Sequence, residues 1–156
     1  LAQGRQRKRA LLVRARVAVL KGDLPRALAL ADEVKALVGE KEVGALIGFH
    51  YLRGDVLARM GRLEEAEQEL AEEVRLFPRR ADARLALVAL YAASGRREEA
   101  VVAIRQILAN VPGPDGPAAA ASSLESLGER RAASDLRRQA AKRYPGDPRF
   151  RERGRT

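Results

Sequence analysis

A 34-residue internal repeat limits what this chain can fold into more than any other feature of its sequence. Residues 61–66 read GRLEEA and residues 95–100 read GRREEA, and a proline follows each glycine after 17 residues, at Pro78 and Pro112. A fixed period of this length is typical of architectures in which each unit packs only on its neighbours. The glycine, alanine and proline positions of this repeat, its landmarks, recur less regularly upstream and downstream. This pattern predicts four units with an extra linker near residues 40–46. These outer landmarks are Gly22, Ala27, Gly128, Ala133 and Pro145.

Each unit is predicted to contain two amphipathic helices. In the third unit, apolar residues recur at steps of three and four along two stretches, which is the period of one helix face. Gly95 suits the left-handed end of the first stretch, and Glu98 and Glu99 suit the positive end of the next helix dipole. The sequence therefore predicts an all-α fold. The periodic residues are Ala83, Leu87, Leu90 and Tyr91, followed by Ala100, Ile104, Ile107 and Leu108.

On these residues the chain resembles the tetratricopeptide-repeat family, whose unit of 34 residues is a helix-turn-helix. The clearest matches are Gly54, Leu57, Gly61, Ala66, Leu70 and Pro78 in the second unit, and Leu87, Tyr91, Gly95, Ala100, Ile104, Ile107 and Pro112 in the third. The resemblance implies a right-handed α-solenoid of about four repeats, at residues 8–41, 47–80, 81–113 and 114–147. It implies a single domain over residues 1–145 and a basic tail at 146–156.

Small residues at fixed repeat positions are expected to lie where paired helices approach most closely. Ala66 and Ala100 occupy one such position in the second and third units. A bulky or charged side chain there would separate the helices or bury an unpaired charge. Both alanines are therefore predicted to be core residues.

The net charge of +9 is concentrated at the two ends of the sequence. Residues 1–16 contain six basic and no acidic residues, and residues 137–156 contain eight basic and two acidic ones. The middle carries a net negative charge, whereas a nucleic-acid-binding protein usually has a continuous basic surface. Nucleic acid is therefore not the expected partner, although polyanion binding through the arginine-rich ends remains an alternative. No stretch is long and apolar enough to span a membrane, and either a cytoplasmic or an exported location fits the composition.

The sequence offers little material for catalysis. It has no cysteine and one histidine, His50, at a repeat position that the family fills with an aromatic packing residue, so core packing without a catalytic partner is expected. The cluster Glu64, Glu65, Glu67, Glu69, Glu72 and Glu73 lacks the spacing of a calcium loop and is expected to form a solvated acidic face. The chain is therefore predicted to be non-enzymatic, with no metal and no cofactor.

The family resemblance also implies where a partner would bind. The first helices of the repeats would line a concave groove that accepts a peptide or protein. The candidate groove residues are Arg9, Leu12, Arg16, Tyr51, Asp55, Arg59, Asp82, Leu85 and Ala89. The leading prediction is a protein-protein interaction scaffold.

The first helix has more apolar residues than one packing seam requires. Something is expected to cover the surplus, such as a missing upstream repeat, a partner or another copy of the chain, because solenoids normally require a polar cap at each end. Self-assembly through this helix, as an oligomer or filament, is therefore a second candidate function. The residues proposed for it are Leu11, Val13, Val17 and Leu20. After Pro148, a flexible arginine-rich tail is expected.

A weaker similarity covers residues 73–145. Phe77-Pro78, Leu85 to Tyr91, Gly95-Arg96 and Tyr144-Pro145 are similar to the repeat-containing carboxyl-terminal extensions of some bacterial sulfatase-like hydrolases. That similarity implies an accessory module of a larger exported enzyme, with the catalytic residues outside this chain.

Overall fold

A computed structural model describes residues 2–151, except for the side chains of residues 2–5, 40–42 and 44. Its elements, in chain order, are α1 (Ala2–Leu20), α2 (Leu24–Gly44), α3 (Phe49–Arg59), α4 (Leu63–Leu76), α5 (Asp82–Ala93), α6 (Arg97–Asn110), α7 (Asp115–Ser126) and α8 (Arg130–Arg143), followed by a 3-10 turn at Pro148–Phe150. No strand occurs in this part of the chain. The predicted all-α class is therefore confirmed. The second, third and fourth helix pairs fall within their predicted repeats, and the first pair extends beyond both ends of its own.

The chain divides into two compact units, Leu1–Phe77 and Pro78–Thr156. In unit 1, α2 packs on both α1 and α3, and α3 packs on α4. In unit 2, α7 packs on α5, α6 and α8. Each unit therefore contains two helix pairs, and the prediction of a single solenoid domain over residues 1–145 stays a prediction.

The small residues of the repeat lie in the tightest contacts, as predicted. Ala66 and Ala100 are completely buried. At Gly54, a Cβ atom would lie 2.6 Å from Cγ of Leu70, a distance that side chains do not tolerate. Helices α3 and α4 can therefore approach each other closely only because residue 54 has no side chain.

Glycine ends the first helix of the second and third pairs. Gly61 and Gly95 have φ angles of 77° and 71°, a left-handed conformation that glycine adopts without steric cost. The next residue then donates a backbone hydrogen bond back into the helix, from Arg62 to Leu57 (2.9 Å) and from Arg96 to Tyr91 (2.8 Å). These bonds satisfy carbonyls that the helix end would otherwise leave unpaired.

The two helices of the first pair extend beyond the predicted bounds of the first repeat. Helix α1 begins at Ala2 instead of near residue 8, and helical backbone continues to Gly44, into the stretch expected to be a linker. Gly39 interrupts this second helix with φ 72° and ψ 168°. The extra residues between the first two repeats therefore form a kinked extension of α2.

The expectation of a flexible tail after Pro148 was also wrong for the residues that the structure describes. Phe150 is buried, with its ring 6.2 Å from that of Tyr144. Arg149 pairs with Asp147 and, at 2.8 Å, with Asp115 at the start of α7. The chain is thus folded against α7 and α8 as far as Phe150, while residues 152–156 of the predicted tail lie outside the described part.

Candidate protein-binding surfaces

The candidate groove residues of unit 1 lie at its surface on α1 and α3. Arg9, Arg16 and Arg59 are exposed, and Leu12, Tyr51 and Asp55 are half-buried. A Cβ atom built on Gly48 would lie 3.8 Å from Nη2 of Arg16, which places the Arg16 guanidinium over the start of α3. Leu12 packs against the core of the unit. Unit 1 therefore presents apolar, aromatic and cationic groups at the positions that the resemblance implies.

Two of these candidates neutralise each other. Nε of Arg59 donates to Oδ1 of Asp55 at 3.1 Å, one helical turn away on α3. The pair is partly exposed, so it contributes little to folding stability. Both groups remain accessible at the surface, where a partner with one charged group can compete for either of them.

A buried polar network lies behind this surface. Nδ1 of His50 is 2.6 Å from Oε2 of Glu69, and Nε of Arg53 donates to Oε1 of the same carboxylate at 2.8 Å. Arg53 also donates to Asp32 on α2. The prediction that His50 packs in the core is confirmed, but the expectation that it lacks a partner was wrong. Three helices, α2, α3 and α4, are joined through the side chains of α3.

The network keeps the Glu69 carboxylate ionised. Burial alone would raise the pKa of Glu69, but hydrogen bonds from His50 and Arg53 and the charge of Arg53 outweigh it and lower the pKa. Burial likewise opposes the charged form of Arg53, and its hydrogen bonds to Glu69 and Asp32 raise its pKa above the ordinary value. The charges in this partly buried site therefore stabilise one another.

Glu73 of α4 caps the beginning of α3. Its side chain is buried and accepts hydrogen bonds from the backbone N–H groups of Gly48 (2.7 Å) and Tyr51 (3.3 Å). Gly48, the residue before α3, has no side chain with which to cap the helix itself. The expected solvated acidic face is therefore wrong for Glu69 and Glu73. The absence of a capping side chain at Gly48 is the sequence signal that could have indicated this contact.

The candidates of unit 2 lie on α5. Asp82 is exposed and paired with Arg80, Leu85 is half-buried and Ala89 is exposed. Arg84 lies among them but points inward, where it is almost fully buried and burial lowers its pKa. Its Nη1 donates to the carbonyl oxygens of Pro78 (2.5 Å) and Arg80 (3.2 Å). A buried arginine thus fixes the turn before α5, at a repeat position that the family fills with an aromatic residue.

The four α1 residues proposed for self-association separate into two groups. Leu11 is 3% exposed and belongs to the core of unit 1, where its side chain is not accessible to a second copy. Val13, Val17 and Leu20 are 58%, 42% and 86% exposed. The sequence could not separate these groups because apolar residues occur on both sides of the helix. An uncovered apolar surface thus remains on α1.

Unit 2 contains a cleft that the sequence did not indicate. It has a volume of about 520 Å³ and lies between the end of α6 and helix α8. Leu108, Leu136 and Tyr144 give it apolar walls, and Gln139 and Arg143 add polar groups. Within the described residues, no group of acidic or histidine side chains is arranged to hold a metal ion, and no helix is both long and apolar enough to cross a membrane.

Paired helices joined by glycine turns define an all-α helical-repeat protein of the α-solenoid class. A family model described as tetratricopeptide repeat matches residues 57–124. Residues 57–124 are therefore similar to the tetratricopeptide-repeat family, as the resemblance predicted. Proteins of this class are interaction scaffolds that bind proteins or peptides.

Solved structures of similar fold cover most of the chain. The thermophilic TPR protein TTC0263 of Thermus thermophilus is 25% identical, with a TM-score of 0.65 over 94% of this chain and 78% of that one. MamA is 18% identical, with a TM-score of 0.65 over 88% and 78% of the two chains. YrrB, a TPR protein with an unusual peptide-binding site, is 18% identical, with a TM-score of 0.57 over 87% and 68%. A search of curated proteins gives no match.

Proposed function

We propose that this chain is a non-enzymatic scaffold that binds a peptide or protein through the surfaces of its first helices. The observation that carries the proposal is the surface of unit 1, where half-buried Leu12 lies on α1 with exposed Arg9 and Arg16, and half-buried Tyr51 lies on α3. Half-buried apolar and aromatic groups next to charged ones are typical of the anchoring parts of protein interfaces.

The support behind α3 favours a rigid binding surface. Tyr51 and Asp55 stand on a helix whose start is capped by Glu73 and whose opposite side is held by the Arg53–Glu69 pair. A side chain that is already ordered loses less conformational entropy when a partner binds. YrrB, which shares the fold, is a TPR protein with an unusual peptide-binding site, which supports the same type of ligand for this chain.

Affinity capture with a double variant tests the proposal. Tyr51→Ala combined with Leu85→Glu alters one first-helix candidate in each unit. Because Leu85 also packs against the core of unit 2, circular dichroism checks that the variant remains folded. We expect proteins captured by the unaltered chain to be lost from this variant. Val102→Ser is the matched control, since Val102 is exposed on a second helix, α6. Recovery of the same partners by all three chains would contradict the proposal.

Association between copies of the chain is a second candidate. The exposed Val13, Val17 and Leu20 favour it, since uncovered apolar groups of this size commonly mark contact surfaces. A head-to-tail contact of α1 with a different surface of the next copy would produce a filament if it does not close. Light scattering over a range of concentrations tests the idea, because a strict monomer at high concentration would exclude it.

A further inference from the structure

The exposed side of α1 has the spacing of a helix-packing seam. Ala10, Val13, Val17 and Leu20 are all exposed and follow one another at steps of three, four and three residues. This is the a and d pattern of a heptad, in which apolar residues form one stripe along a helix and fit between the side chains of a second helix. At a rise of about 1.5 Å per residue, the stripe is about 15 Å long. We refer to these four residues as the α1 stripe.

Basic residues border the α1 stripe on both sides. With Ala10 and Val17 at a and Val13 and Leu20 at d, the bordering e and g positions are Arg9, Arg14, Arg16 and Lys21. All four are exposed, and none has a carboxylate partner among the described side chains. Helix α1 itself contains no acidic residue. The seam therefore combines an apolar centre with a uniformly positive border.

Charges at e and g decide which helix can lie along such a seam. A second copy of α1 would place arginine and lysine opposite arginine and lysine in either orientation, and like charges across an interface oppose binding. A helix with glutamate or aspartate at its own bordering positions would pair with them. We propose that the α1 stripe is a docking site for an amphipathic helix of a partner protein that has an apolar seam and acidic borders.

This site differs from the groove candidates, although Arg9 and Arg16 belong to both. Arg14 and Lys21 lie on the other border of the stripe, and Val13, Val17 and Leu20 are the residues proposed for self-association. Reversal of charge at Arg14 and Lys21 therefore affects the stripe alone, and Tyr51→Ala with Leu85→Glu affects the groove alone. The two proposals can fail independently.

Synthetic helices provide the test. The probe is a peptide of about 20 residues with leucine at a and d and glutamate at e and g, and its partner probe has lysine in place of every glutamate. Binding of each labelled peptide to the full chain is measured by fluorescence anisotropy. We expect the glutamate peptide to bind at least about tenfold more tightly than the lysine peptide, with the difference shrinking as salt rises.

Variants of the full chain locate the binding. Arg14→Glu with Lys21→Glu should reduce or reverse the preference for the glutamate peptide, and Val13→Ser with Leu20→Ser should abolish binding of both peptides. Arg105→Glu with Arg130→Glu is the control, because it changes the net charge equally at exposed sites outside the stripe. Circular dichroism checks that each variant keeps its helix content.

Three outcomes would overturn the proposal. The first is equal binding of the two peptides, and the second is an equal response to the two double charge reversals. The third is that the chain binds vesicles of phosphatidylcholine with phosphatidylserine but does not bind the glutamate peptide, and that Val13→Ser with Leu20→Ser abolishes the vesicle binding. The last result would assign the stripe to an anionic membrane surface.

Discussion

Nδ1 of His50 and Oε2 of Glu69 lie 2.6 Å apart in the interior of unit 1. The contact joins α3 to α4 directly beneath the surface proposed for partner binding. Because Arg53 binds the other oxygen of the same carboxylate, Glu69 holds two consecutive turns of α3. Glu69, which the sequence does not distinguish from the other glutamates of α4, therefore holds α3 and the candidate binding surface on it in position.

Replacement of Glu69 by glutamine should destabilise unit 1 at neutral pH by about 1–3 kcal/mol, because Arg53 would lose a charged partner in a mostly buried site. The native pKa of Glu69 is below its ordinary value of 4.5. The contribution of the Glu69 carboxylate to the free energy of unfolding is therefore complete above pH 4.5. It is lost as the pH falls through the lower native pKa. Urea unfolding of both chains at about pH 7 and about pH 3 should show the difference shrinking in acid. A constant difference would contradict the assignment. Glu64→Gln, at an exposed position of the same helix, is the control.

Replacement of Glu73, which caps the start of α3, should lower the free energy of unfolding by an amount that depends on the new side chain. Glu73→Ala leaves the N–H groups of Gly48 and Tyr51 without their acceptor, and we expect a loss of about 1–3 kcal/mol. Glu73→Gln retains an acceptor oxygen and should cost less. Glu64→Ala, at an exposed position of the same helix, is the matched control in thermal unfolding. Equal effects of Glu64→Ala and Glu73→Ala would show that the cap is not important for stability.

The contact between Gly54 and Leu70 can be tested by a double-mutant cycle. Gly54→Ala would crowd the Leu70 side chain, at an expected net cost of about 1 kcal/mol after the gain in helix propensity. In a Leu70→Ala background the two closest atoms, Cγ and Cδ2 of Leu70, are absent and the carbonyl oxygen of Ala66 at 3.3 Å remains. The same change should therefore cost much less than in the unaltered chain. Chemical denaturation of the four chains measures the coupling. An equal cost of Gly54→Ala in both backgrounds would exclude the close approach as its cause.

Ala100→Glu should be among the most damaging substitutions in unit 2. The site is fully buried, and a carboxylate placed there has no cationic partner in the repeat pattern, which costs several kcal/mol. Gln106→Glu introduces the same charge at an exposed position of the same helix and should be nearly neutral. The melting temperatures of the two variants are compared. An unchanged melting temperature for Ala100→Glu would contradict the burial of residue 100 between the paired helices.

The buried ring of Phe150 should contribute measurably to the stability of unit 2. Phe150→Ala removes its packing on Tyr144 and should cost about 3 kcal/mol. Arg151→Ala, one residue further at an exposed position, serves as the control. Differential scanning calorimetry of the two variants gives the comparison. If both leave the melting temperature unchanged, the packing of Phe150 does not stabilise the unit.

The repeat made the helix pairs predictable, whereas contacts peculiar to this chain were not. Gly61 and Ala66 recur after 34 residues, at Gly95 and Ala100, because turns and close helix contacts need the same residue types in every unit. Glu73 has no such periodic signal, since its ligand is the backbone at the start of α3. Phe150 was overlooked because arginines surround it in the sequence, and the periodicity of α1 could not show which of its two apolar sides packs inward.

The contact between Glu73 and the start of α3 also has a consequence for how unit 1 folds. The amide hydrogens of Gly48 and Tyr51 are held by a side chain 25 and 22 residues further along the chain. They can become protected from solvent exchange only after α4 has docked. The two amides therefore report the assembly of the second helix pair, and their exchange rates should rise together whenever α4 separates from α3.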